Sequence, residues 1–76
     1  MGYQVGDVVQ FNENHKWCGC LGIIEEVESK PYGMRYLIGV PVPQQGTAYI
    51  FVNEGEMAIE YIGRAELMPQ NNDENV

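Results

Sequence analysis

Positive charge is scarce in this chain: four Lys and Arg stand against eleven Asp and Glu in 76 residues, a formal net charge of -7. That balance argues against direct binding of duplex DNA, which depends on Lys and Arg neutralising phosphates. Long apolar runs are missing as well. None approaches the roughly 18 residues of a membrane span. The opening MGYQVGD has neither the basic stretch nor the apolar core of a signal peptide. Cysteine is confined to Cys18 and Cys20, and histidine to His15. With no export signal, both thiols are expected to be reduced in a cytoplasm. No phosphate-binding glycine loop, dinucleotide fingerprint, calcium loop or Ser-His-Asp order is present. The length allows one domain and leaves little room for a catalytic cleft.

What the chain does have is short alternating apolar runs separated by turn residues. Gly6-Asp7 marks a turn, and Asp7 to Phe11 reads as a strand with Val9 and Phe11 inward and Gln10 outward. A polar loop, Asn12 to Gly19, follows. Leu21 to Glu28 reads as a second strand with Ile24 inward, leaving the core at the Glu25-Glu26 pair. Pro31 and Gly33 suit a turn at 29–33. Met34 to Val40 is a third strand with Tyr36, Ile38 and Val40 on one face, and Gly39 marks a bulge or a close backbone approach. Pro41 and Pro43 then indicate an edge or a loop. Ala48 to Asn53 is a fourth strand, and Glu54-Gly55-Glu56 a tight turn. Met57 to Ile62 fits a fifth strand, closed by Gly63, better than a helical turn. A short 3-10 turn is expected at Arg64 to Leu67. Residues 1–69 form a single domain, and 70–76, nearly devoid of apolar side chains, a disordered tail. Five short strands at this spacing predict a small all-β barrel.

Gly6-Asp7-Val8-Val9 together with Gly19 to Val27 resembles the KOW pattern of Src-homology-3-like barrels. Gly19 and Gly22 take the paired glycine positions, and Ile24 and Val27 the apolar positions after them. Ala65 to Pro69 resembles the turn and last strand that close such barrels. In size and style the chain is also similar to short standalone barrel proteins of bacterial phages and mobile elements. The resemblance implies a five-stranded barrel that binds a partner and catalyses nothing. KOW modules often contact RNA through basic loop residues; here Lys16 is the only cation in the first loop, and the second strand carries Glu25, Glu26 and Glu28.

Three groups of residues are candidates for function. Trp17, Tyr32, His15 and Tyr49 could form a ligand surface, since loop aromatics can stack on a peptide or a base. Trp17 could equally cap the open end of the barrel, or cap on one side and bind on the other. Glu25, Glu26 and Glu28 form either a solvated face or an acidic contact face. His15, Cys18 and Cys20 are natural zinc ligands, but a closed site needs four. Glu13 or a second copy would have to supply the rest, and the reading is no metal and no cofactor. The expectation is a monomer or weak homodimer that binds a protein or peptide, with no membrane association. A nucleic-acid-related role is the alternative, as an RNA contact or as an acidic mimic that blocks a nucleic-acid-binding protein.

Overall fold

The computed structural model describes residues 2–65. Five antiparallel strands form one sheet in the order β4-β3-β2-β1-β5. They are β1 (Asp7–Phe11), β2 (Leu21–Lys30), β3 (Gly33–Val42), β4 (Gly46–Asn53) and β5 (Ile59–Arg64), with a 3-10 turn at Glu54–Glu56 between β4 and β5. The expected alternation holds where it matters for the core. Val9 and Phe11 of β1, Ile24 of β2, and Tyr36, Ile38 and Val40 of β3 are all buried on one face. Val52, Ala58 and Ile59 complete that core. Among the described residues no helix is long and apolar enough to cross a membrane.

β2 meets β1 along Leu21–Ile23 and β3 along Ile23–Lys30. Both halves can turn an apolar side chain inward because the register slips between Ile24 and Glu26, leaving Glu25 as the extra residue of a bulge. Before the slip even-numbered residues face the core. After it Val27 does, opposite the buried Tyr36. A bulge of this kind bends the strand and increases its twist, so the acidic pair marks the bend rather than the end of the strand. Gly39, opposite Ile23 on the outer face, is the close approach rather than the bulge. A Cβ there would lie 2.8 Å from the Glu25 carboxylate and 3.2 Å from the Thr47 methyl.

Several boundaries differ from the sequence reading, β4 among them, which begins at Gly46 rather than Ala48. β2 runs on to Lys30, so the hairpin turn is only Pro31-Tyr32, with Gly33 at a φ of 123° that L side chains rarely adopt. β3 continues through Pro41 to Val42, and of the edge or loop that the prolines indicated, Pro41 occupies a local edge. Pro41 is tolerated because β2 pairs no further than Gly39 on that side, so no ladder bond is lost. The 3-10 turn lies at Glu54–Glu56, where a tight turn was expected, and not at Arg64 to Leu67. Arg64 instead ends β5, whose run passes through Gly63. Met57 and Ala58 lie outside β5, because Met57 adopts a left-handed conformation with φ 50°. The expected closing residues after Ala65, the domain limit at 69 and the tail 70–76 lie outside the described residues.

The inner face at Gly22 has no space for a side chain. A Cβ there would meet the Ile38 methyl at 2.5 Å and the Val40 methyl at 3.2 Å. Gly22→Ala is therefore expected to destabilise the fold by about 1–3 kcal/mol through overpacking. Gly55→Ala, where nothing lies within 4 Å, should stay within about 0.5 kcal/mol of wild type. Urea denaturation of the two variants checks the contrast.

Candidate functional site

The most developed concavity is a cleft of about 490 Å³ beside the 3-10 turn. Its floor is aromatic and apolar: Tyr3, Tyr36, Val52 and Ile59 line it. The Tyr3 ring stands edge-on to Tyr36, with centroids 5.3 Å apart and planes at 83°, a geometry favoured by the ring quadrupoles. The Tyr3 hydroxyl donates to the Ile59 carbonyl at 3.2 Å, and the Tyr3 N–H donates to the Tyr36 oxygen at 3.4 Å. A second hollow of about 380 Å³, lined by Gly2, Tyr3, Asp7 and Tyr61, shares the Tyr3 wall. Below it the buried Asp7 carboxylate accepts the Gln4 N–H at 2.8 Å and pairs with Arg64 at 3.0 Å. This pins the N-terminal segment against the end of β5.

The rim is polar. Met57 is exposed in its left-handed conformation, and its carbonyl accepts both the Asn12 and the Asn14 side-chain amides at 3.0 Å. Two side chains of the β1–β2 loop thus hold a residue that would otherwise avoid this backbone region. Asn12 also reaches Glu60 at 3.4 Å. The Glu54 carboxylate accepts the Met34 N–H at 3.0 Å, and that of Glu56 the Asn53 N–H at 3.1 Å. The Asn53 side-chain oxygen is buried and faces the Glu56 N–H in a capping-box arrangement, without a hydrogen bond of full geometry. The lining includes no Ser, Cys, His or Lys, so the cleft can bind by stacking, apolar contact and acceptance of donors.

The residues singled out in the sequence are spread over several places. His15 and Trp17 come together: His15 is half-buried on Phe11, with centroids 4.5 Å apart, and its Nδ1 accepts the Trp17 N–H at 3.0 Å. Trp17 packs against the core, so the capping role is filled. Tyr32 is 64% exposed at the tip of the β2–β3 hairpin, and Tyr49 is 62% exposed on the outer face of β4. Neither joins His15 and Trp17 in one surface. Cys18 and Cys20 are exposed free thiols. Among the described residues no three His, Cys, Asp or Glu side chains gather as metal ligands. Glu25, Glu26 and Glu28 do share the outer face of β2, but Glu28 is engaged, at 2.7 Å from Arg35 and 3.8 Å from Lys30. The Arg35 hydrogen bond above all holds its carboxyl below the usual range. Tyr3, Asn12, Asn53 and Met57 were missed. The one sequence signal for them was the asparagine spacing in the first loop; their convergence depends on long-range closure.

Comparison with protein-family models, with curated proteins and with solved structures gave no match to this chain.

Burial, and then the charges of Tyr36, Glu60 and Asp7, raise the Tyr3 phenol above its ordinary value of 10.0. The folded state therefore holds this proton more tightly than the unfolded state. The associated stability is full below the unfolded value and is lost as pH rises through the folded one. Phenolate formation would also remove the donor to Ile59. Tyr3→Phe should therefore abolish one late step in the alkaline absorbance titration. The denaturation midpoint of the variant should also fall less steeply than that of wild type above pH 10.0.

Proposed function

We propose that this protein is a non-enzymatic binding module that receives a peptide segment of a partner protein in the cleft beside the 3-10 turn. The observation that carries this reading is the composition of that cleft. It combines two aromatic rings, an exposed Met57 held in a left-handed backbone, and the rim carboxylates of Glu54 and Glu60. Apolar concavities with a few convergent polar groups are the usual form of a ligand site, and strained backbone tends to collect at such places. Glu54 and Glu60 on the rim favour a segment carrying Lys or Arg. Trp17 serves this reading indirectly, as a core cap behind the loop that positions Asn12 and Asn14.

The Src-homology-3-like reading of the fold is supported by connectivity. The five short antiparallel strands and the long loop between β1 and β2 are what that resemblance implies. Function does not follow from fold, so the cleft carries the assignment.

A second reading, an acidic surface that occupies the basic groove of a nucleic-acid-binding protein, is favoured by the use of the cations. Of the four, Lys30, Arg35 and Arg64 are already paired with Glu28 or Asp7 among the described residues. The acidic excess is thus left exposed, and direct RNA contact gains no support.

The test is selection from a random-peptide display library, followed by calorimetry of the selected peptide. Met57→Gly is the informative variant. It relieves the left-handed strain, so stability should hold or rise, while loss of the exposed side chain should weaken binding by about tenfold, near 1.4 kcal/mol. Peptides that bind Met57→Gly and Tyr3→Phe as tightly as wild type would remove the cleft from the function. Failure to select any peptide, with salt-sensitive capture of basic nucleic-acid-binding proteins instead, would favour the mimic.

A further inference from the structure

The sheet has two edges, and they are built differently. β5 carries Glu60 and Arg64 and an irregular register against β1, where Ile62 is the extra residue. Charges and bulges are the usual means by which an edge strand is kept from pairing with another chain. β4, GTAYIFVN, has no charge, no proline and no break in its register against β3. It belongs to the longest uncharged stretch of the chain, from Tyr36 to Asn53, in a protein with net charge -7.

The free side of β4 can be read from its end. The Asn53 N–H is bonded to Glu56 rather than to β3. Antiparallel alternation then directs the N–H and C=O groups of Phe51, Tyr49 and Thr47 to that same open side. No described strand pairs with them. On the outer face Tyr49 and Phe51 are more than half exposed, and the Arg35 guanidinium sits 4.1 Å above the Phe51 ring.

We propose that β4 is a self-association edge, and that two copies pair antiparallel through it about a two-fold axis to give one continuous ten-stranded sheet. Electrostatics selects a second copy as the occupant. Two chains of the same strong negative charge can approach closely only where neither is charged, and β4 is that place. The Glu25 carboxylate of β2 lies over Gly39 of β3, one strand in from the edge, so the two Glu25 carboxylates of a dimer would stand about three strand spacings apart, roughly 14 Å at about 4.8 Å per strand, beyond the screening length at physiological salt. The occupied Asn53 N–H closes the ladder at one end and so sets the register. Tyr49 falls on the axis opposite its own copy, and Phe51 opposes Thr47. Both pairs keep core face aligned with core face, as strand alternation requires. Aromatic and β-branched cross-strand pairs of this kind stabilise a sheet.

The experiment is sedimentation equilibrium of the full chain over a wide concentration range, with reductant present so that Cys18 and Cys20 cannot cross-link copies. Wild type should show a reversible monomer–dimer equilibrium. Amide hydrogen exchange at Thr47, Tyr49 and Phe51 should slow as concentration rises. Tyr49→Lys, on an exposed position, should leave the fold intact by circular dichroism and raise the dimer dissociation constant at least tenfold. The substitution makes each chain less acidic, so association driven by general charge would instead strengthen. A wild type that stays monomeric throughout would overturn the proposal. So would a dimer whose β4 amides exchange independently of concentration, or one that Tyr49→Lys leaves unchanged.

Discussion

One strand has to satisfy two neighbours that need different faces of it, and the bulge at Glu25 resolves the conflict. Without the extra residue, the alternation that buries Gly22 and Ile24 would turn Val27 outward and set a polar side chain against Tyr36. With it, β2 bends and its second half follows β3 into the long hairpin. In the first half of β2, before the bend, Gly22 packs closely on Ile38 and Val40. The Glu25 side chain, projected outward by the bulge, covers Gly39 where the outer face is bare. Bend, core and outer surface follow from one inserted residue.

The cleft is the other product of this closure. Its walls come from the N-terminal segment, the first loop, β3, the end of β4 and the start of β5. Its least favourable local feature is the left-handed Met57. Places where a chain departs from its own propensities are where a partner's contribution is most often needed. The Asn12 and Asn14 amides, both bonded to the Met57 carbonyl, couple the shape of the rim to the conformation of the first loop.

The core was legible in the sequence because it rests on period-two alternation, a local property. Val9, Phe11 and Ile24 were assigned inward, Tyr36, Ile38 and Val40 were placed together on one face, and all six are buried. The bend in β2 was visible only as a Glu-Glu pair, since a bulge leaves no mark in composition. Pro41 and Pro43 left an edge and a loop both open, because which of them Pro41 occupies depends on where a neighbouring strand stops. Met57 was placed in a strand because nothing in MAIEYI reveals that two distant asparagines would grip its carbonyl. The cleft was not legible at all: Tyr3 and Ile59 meet across 56 positions, and no short-range pattern reports such a meeting. The aromatics that did stand out, Tyr32 and Tyr49, stood out because they are exposed in turn and strand positions, which is a statement about solvent and not about convergence.

The contacts that close the molecule reach far along the chain, Arg64 to Asp7 across 57 positions and Tyr3 to Ile59 across 56. The β2–β3 and β3–β4 hairpins need only local loops, so the order of loop-closure costs places the docking of β5 and the N-terminal segment late in folding. A ligand seated against Tyr3 and Ile59 would grip contacts that are absent from the folding transition state. Such a ligand would lengthen the lifetime of the native state by slowing its opening, while leaving the rate at which the chain first folds almost untouched.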